Sequence, residues 1–119
     1  MSADVAGIVD SGADGTLFPL ELAPALGLDV EKDLVKQDGS SGAAGTTFET
    51  WAARKPITGR VFAIMRPGES AEFFGEPFEL SPAFAADGPV LWGRSDFFTN
   101  FTITFHTHEH LGLLLTLEQ

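Results

Sequence analysis

The fold of this chain is decided by a short segment near its start, Ile8-Val9-Asp10-Ser11-Gly12-Ala13-Asp14. The apolar run that leads into it, Val5 to Val9, has no polar alternation, which is typical of a strand buried on both faces. Asp10 ends the run, and the Ser-Gly that follows is typical of a tight turn. The segment therefore predicts a buried strand that delivers one carboxylate to the turn at its end.

A second segment has the same organisation, Val90-Leu91-Trp92-Gly93-Arg94. Its glycine lies 83 positions after Asp10 (93 − 10) and follows another apolar run. A lone Asp-Ser-Gly is a common turn sequence in which the Asp usually hydrogen-bonds only to local backbone. The two segments in this order, each after an apolar run, are a much more specific signal.

Together the two segments resemble the signature motifs of the retropepsin-like aspartic peptidases, an apolar pair before Asp-Ser/Thr-Gly-Ala and an apolar pair before Gly-Arg. The likeness is to the bacterial, non-viral branch and covers nearly all of residues 1–119. It implies one mainly all-β domain, a half-barrel with a flap hairpin and one or two short helices. Further matching stretches are Thr16 to Pro19, Ala25 to Leu28, and Arg94 to Phe98 leading into Phe101 to Phe105.

This resemblance implies an aspartic endopeptidase, and the chemistry explains the residue types. Peptide hydrolysis without a metal or a covalent intermediate needs one group that takes a proton from water and another that gives a proton to the carbonyl oxygen. Two carboxylates held together do both by sharing one proton, as in aspartic proteases generally. A short chain with one Asp-Ser-Gly-Ala motif supplies only one of them. The resemblance therefore implies a homodimer in which Asp10 of each copy meets its partner at a twofold axis.

The resemblance also assigns roles to the residues that follow Asp10. Ser11 braces the two catalytic loops across the dimer. Gly12 permits the tight turn and the close approach of substrate, and Ala13 completes the motif. Asp14 forms a salt bridge to the second motif and faces the substrate backbone.

The remaining site residues belong to the second motif and to a glycine-rich segment. Arg94 is the expected partner of Asp14, and Trp92 is expected at the floor of the active site beside Gly93. The small residues from 39 to 45 are typical of the tip of a long hairpin, and the resemblance makes this hairpin the flap that closes over substrate. The residues of the flap tip are Gly42, Ala43, Ala44 and Gly45.

Two other interpretations stay open from the sequence alone. A dimer with this fold but little or no catalysis would be an assembly or peptide-binding module. The alternate spacing of His106, His108 and His110 would put three imidazoles on one face of a strand, where they could bind zinc. A hairpin turn through this segment would scatter them, so we interpret them as exposed turn histidines and expect no metal and no cofactor.

Composition narrows the class of partner. The chain has 17 acidic and 7 basic residues, a formal net charge of −10, which argues against nucleic acid and anionic membranes as partners. It has no cysteine, which excludes disulfides and thiolate zinc sites. No signal-peptide pattern and no apolar run of about 20 residues is found, so the expected location is cytoplasmic. The expected partners are a peptide or protein substrate and a second copy of the chain.

The rest of the pattern predicts short strands between turns, and two short helices. A helix is expected to open at Pro19 and to stop at Gly27, and Ser95 is expected to cap a helical turn through Phe98. The expected strands are Thr46 to Ala53, Arg60 to Met65, Glu72 to Leu80 broken near Gly75 and Pro77, and a C-terminal hairpin of Phe101 to Phe105 with Leu111 to Leu117.

Two stretches depart from the resembled family. Family members usually have one more strand before the catalytic one, whereas only nine residues precede Asp10 here. Either the chain is a shortened form, or the C-terminal hairpin is expected to close the dimer by itself. The stretch from Arg54 to Gly88 does not match the family pattern, and the sequence assigns it no role.

Overall fold

Strands dominate the fold, which confirms the all-β expectation. The structure, a computed structural model, describes residues 2–41, 47–63, 72–106 and 114–119. The strands in chain order are β1 (Ile8–Val9), β2 (Leu17–Pro19), β3 (Leu34–Ser41), β4 (Thr47–Ala53), β5 (Ile57–Ala63), β6 (Glu72–Leu80), β7 (Ala83–Ala85), β8 (Leu91–Trp92), β9 (Thr102–His106) and β10 (Leu114–Glu118). The helices are α1 (Leu22–Ala25), α2 (Val30–Asp33) and a 3-10 helix at Phe98–Asn100. No helix in the described ranges is long and apolar enough to cross a membrane.

The strands form one mixed six-stranded sheet and two antiparallel pairs. The order in the large sheet is β1-β8-β2-β7-β4-β3, and the pairs are β5 with β6 and β9 with β10. β1 and β8 run parallel, with Ile8 opposite Leu91 and Val9 opposite Trp92. Because parallel strands end at the same edge of a sheet, the residues that follow them, Asp10 and Gly93, are brought side by side.

An aromatic core packs against these two strands. Phe18, Phe84, Phe97 and Phe101 are buried, and Val9 and Trp92 pack against the same cluster. Full burial of one Phe side chain contributes about 1.5–3 kcal/mol. Edge-on ring pairs add about 0.5–1.5 kcal/mol each, as between Phe18 and Phe84 at 5.7 Å. Val9 and Trp92, at the ends of β1 and β8, therefore rest on this aromatic core.

The expected burial of the first strand on both faces is wrong. The strand covers only Ile8–Val9, and Ile8 is 58% exposed. β1 is an edge strand whose one neighbour in the described sheet is β8. The residue before it is close to the second motif, since a Cβ on Gly7 would lie 2.8 Å from Trp92 Nε1. Because β1 lies at the edge of the sheet, it is covered on one side only, and the Ile8 side chain is left exposed.

The helix expectations hold in part. Gly27 has φ of 76° just beyond α1, which confirms it as the helix stop. Pro19 does not open the helix, because it lies in β2 and pairs with Ala85 of β7. The sequence prediction missed α2, although its first turn has an ordinary N-cap: Asp29 accepts hydrogen bonds from the N–H groups of Glu31 and Lys32.

Ser95 is not a helix N-cap. The 3-10 helix at Phe98–Asn100 begins after Phe97 and has no side-chain cap. Asp96 instead accepts a hydrogen bond from Phe97 N–H at 2.9 Å. The carboxylate, rather than the hydroxyl before it, therefore serves the backbone at this turn.

The hairpins follow the sequence pattern closely. The break expected near Gly75 and Pro77 is confirmed as a register shift in β6, which the partner strand β5 meets between Gly59 and Val61. The C-terminal hairpin is confirmed by the pairing of β9 with β10, and residues 107–113 between them lie outside the described part. The pairing of β3 with β4 confirms the long hairpin.

Candidate active site

The two motifs form one unit at the ends of β1 and β8. Ile8 N–H donates to Val90 C=O at 2.9 Å, and Asp10 N–H donates to Trp92 C=O at 3.1 Å. The second bond fixes the backbone of Asp10 directly to the second motif. The parallel pairing of β1 with β8 therefore continues one residue beyond β1, to the backbone of Asp10.

The turn after β1 holds the Asp10 side chain. Gly12 N–H donates to Asp10 Oδ1 at 2.8 Å, and Ala13 N–H donates to Asp10 C=O at 3.1 Å. The Asp10 residue is half-buried. Within the described ranges nothing hydrogen-bonds to Oδ2, so this oxygen can accept a water proton or face a second carboxylate. A carboxylate held in this way can take or give one proton.

Beyond the turn, the two motif segments are joined by further backbone bonds. Arg94 N–H donates to Ala13 C=O at 3.0 Å, and Ser95 N–H donates to Asp14 C=O at 2.7 Å. Arg94 Nη2 also forms an ion pair with Asp14 Oδ1. These side chains are 56% and 96% exposed, so solvent screens the pair and the backbone bonds are the firmer connection.

Gly93 lies where the two segments touch. It is buried, and a Cβ added to it would overlap the backbone of Gly15, with Gly15 Cα only 2.6 Å away. The overlapped atoms are backbone, which cannot rotate aside. A glycine is therefore required here for the second motif to lie against the first.

The remaining predicted site residues are Ser11 and Gly12 on the turn, Trp92 before Gly93, and the four residues of the flap tip. Ser11 and Gly12 are exposed on the turn, so the role of Ser11 across a dimer stays a prediction. The Trp92 ring packs against Phe18 at 5.5 Å and Phe97 at 5.4 Å, and its contact with substrate stays a prediction. The flap-tip residues Gly42, Ala43, Ala44 and Gly45 lie outside the described residues.

No metal centre is found within the described ranges, since they contain no cluster of three His, Cys, Asp or Glu side chains. The histidines considered as zinc ligands are not part of that test. His108 and His110 lie outside the described residues, as does the side chain of His106.

The sequence prediction gave no role to Thr16 and Asp96, two buried polar residues next to the site. Thr16 Oγ1 donates to Asp96 Oδ1 at 2.8 Å and accepts from Gly93 N–H at 3.2 Å. Asp96 is followed in sequence by Phe97 and Phe98, two aromatic residues. An aspartate beside two aromatic residues is expected to be buried with them, and a buried carboxylate must have hydrogen-bond partners. This pattern in the sequence could have identified Asp96 as a structural residue.

A cavity of about 700 Å³ lies behind the site rather than in it. Its walls include Val9 and Trp92, together with Phe62 and Phe73 of the β5–β6 pair. Asp10 is not among the residues that line it. The candidate site of the single chain is therefore the open turn at the ends of β1 and β8, and not an enclosed pocket.

Comparisons of the chain with protein-family models, with characterised proteins and with solved structures found no match. The geometry of this site and the two sequence motifs are therefore the basis on which a function is proposed.

Proposed function

We propose that the chain is one subunit of a homodimeric aspartic endopeptidase whose catalytic pair is Asp10 and its equivalent in a second copy. The observation that carries the proposal is the position of Asp10. Its carboxylate is fixed by Gly12 N–H, and its backbone is bonded to Trp92 of the second motif. The two motifs are 83 positions apart in sequence (93 − 10), and their contact holds the turn that begins at Asp10.

The proposed reaction needs both copies of Asp10. A water molecule lies between the two carboxylates, which share one proton. The ionised carboxylate takes a proton from the water as the water oxygen bonds to the peptide carbonyl carbon. The protonated one gives its proton to the carbonyl oxygen. Collapse of the tetrahedral intermediate breaks the C–N bond, and the amine leaves with a proton returned by the pair.

Two features of the single chain support assembly with a second copy. Oδ2 of Asp10 has no partner within the described ranges, whereas Oδ1 is engaged by Gly12. The β9–β10 hairpin is a sheet of only two strands in the described structure. Its outer edges therefore carry backbone groups that can pair with another chain.

The test is cleavage of a mixed peptide library between about pH 4 and 7, the span in which a shared-proton pair is active. Wild type is compared with Asp10→Asn, and dimer content is measured in both samples at the assay concentration. Asparagine keeps an oxygen for Gly12 N–H, so the variant is a matched control with the turn intact. We expect cleavage by the wild type and none by the variant.

Two other results of this assay would count against the proposal. Cleavage by both proteins contradicts the proposal, because Asp10 would then not be catalytic. Absence of cleavage by a verified wild-type dimer would favour the non-catalytic peptide-binding or assembly module instead.

A further inference from the structure

We propose that Asp96 and Thr16 are positioning residues that hold the backbone of Asp10 in its working place. The inference rests on the proposed function for its catalytic consequence. The coupling between the residues is a property of the fold and can be measured separately.

The starting point is a buried carboxylate, Asp96, that accepts hydrogen bonds from three backbone N–H groups. Asp96 is 7% exposed. Its Oδ1 accepts from Thr16 N–H at 3.1 Å and from Phe97 N–H at 2.9 Å, and its Oδ2 accepts from Ser81 N–H at 3.0 Å. No Lys, Arg or His of the described ranges forms an ion pair with it. The group thus joins three separate segments of chain by hydrogen bonds alone.

The Thr16 hydroxyl connects Asp96 to the second motif by two hydrogen bonds. A hydroxyl has one proton to donate, and Asp96 Oδ1 accepts it at 2.8 Å. The lone pairs of Thr16 Oγ1 then remain to accept from Gly93 N–H at 3.2 Å. The carboxylate therefore sets the direction of both hydrogen bonds.

The final step runs through one peptide group. The peptide between Trp92 and Gly93 is planar, and it is held from both sides. Its N–H donates to Thr16 Oγ1, and its C=O accepts from Asp10 N–H at 3.1 Å. A rotation of this peptide away from Thr16 would also move its carbonyl away from Asp10. Asp96 is thereby connected to the catalytic backbone through Thr16 and a single rigid group.

The decisive variant is Thr16→Val, which keeps the shape of the side chain and removes the hydroxyl. Thr16→Ser is the matched control, because it keeps the hydroxyl and removes only a methyl group. Activity is measured as kcat and KM per folded dimer. We expect Thr16→Val to lower kcat by about 10-fold or more, since a misplacement of about 1 Å costs on the order of 100-fold. KM should change by less than about 2-fold, and the Thr16→Ser variant should keep the kcat of the wild type.

Asp96→Asn is the second variant and is useful if Thr16→Val folds poorly. An amide has N–H donors on one side. In either orientation, its –NH2 group would face a donor, Ser81 N–H on one side or the Thr16 and Phe97 N–H groups on the other. We expect the same fall in kcat with little change in KM.

Amide hydrogen exchange by NMR gives a readout that does not require cleavage. In Thr16→Val the amides of Gly93 and Asp10 should exchange about 10-fold faster or more. The amide of Leu26, which is bonded within α1, should be unchanged. If the wild type cleaves nothing, the proposed function fails while the exchange data still decide whether Thr16 holds Asp10.

The inference is overturned by either of two results. One is a folded Thr16→Val dimer with wild-type kcat, whatever its stability. The other is exchange at Gly93 and Asp10 that matches the wild type, which would show that the hydroxyl does not hold the peptide.

Discussion

Replacement of Gly93 by alanine tests how closely the two motif segments approach. The added methyl group would overlap the backbone of Gly15, with Gly15 Cα at 2.6 Å. Overpacking of a well-packed site typically costs about 1–3 kcal/mol. The atoms met here belong to backbone, so relief requires separation of the two segments. We therefore expect a loss of about 3 kcal/mol, near the top of that range.

The matched control is Gly15→Ala, on the other side of the same contact. A Cβ there would meet only the hydroxyl of Ser95, at 3.1 Å, and that side chain can rotate. Gly15 does not have positive φ. Its replacement should change stability by less than about 1 kcal/mol, because alanine also lowers the entropy of the unfolded chain.

Urea unfolding measures both effects. With a slope of about 1.5 kcal/mol/M, a loss of about 3 kcal/mol lowers the midpoint by about 2 M. All proteins must be compared at one subunit concentration, because association shifts apparent stability. A Gly93→Ala protein with the same midpoint as Gly15→Ala would refute the close contact between the motifs.

Two further predictions concern the core and the exposed ion pair. Phe84→Ala should lower the free energy of unfolding by about 3–5 kcal/mol, because Phe84 is fully buried. Phe73→Ala is its control, since Phe73 is 64% exposed, and equal urea midpoints for the two variants would contradict the packing described. Asp14→Asn should leave the urea midpoint close to that of Glu49→Gln, because the Asp14–Arg94 and Lys36–Glu49 pairs are both exposed. A fall as large as that of Gly93→Ala would show instead that the ion pair, rather than the backbone bonds, joins the motifs.

Much of the fold could be predicted from local pattern. The break in β6 follows from Gly75 and Pro77, because glycine permits positive φ and proline removes a donor from the ladder. The helix stop at Gly27 follows from the same conformational freedom. The resemblance of the two motifs to a known family pattern predicted that Asp10 and Gly93 lie close together, and the bond from Asp10 N–H to Trp92 C=O confirms that proximity.

The rest depends on contacts between distant segments. β7 is three residues long and has no periodicity of its own, yet it carries the fully buried Phe84 and pairs with β2 and β4. The exposure of Ile8 follows from the place of β1 at the sheet edge, which no local pattern shows. The bond between Thr16 and Asp96 joins positions 80 residues apart, so only the folded chain brings them together.

The central claim, that Asp10 of two copies forms one catalytic pair, is tested most directly by mixing subunits. Wild type and Asp10→Asn are unfolded together in equal amounts and refolded, and cleavage is compared with wild type at the same total concentration. If a dimer needs both carboxylates, random pairing leaves about one quarter of the dimers active, so activity falls to about one quarter. Activity of about one half would mean that each subunit works alone, and would contradict the shared pair.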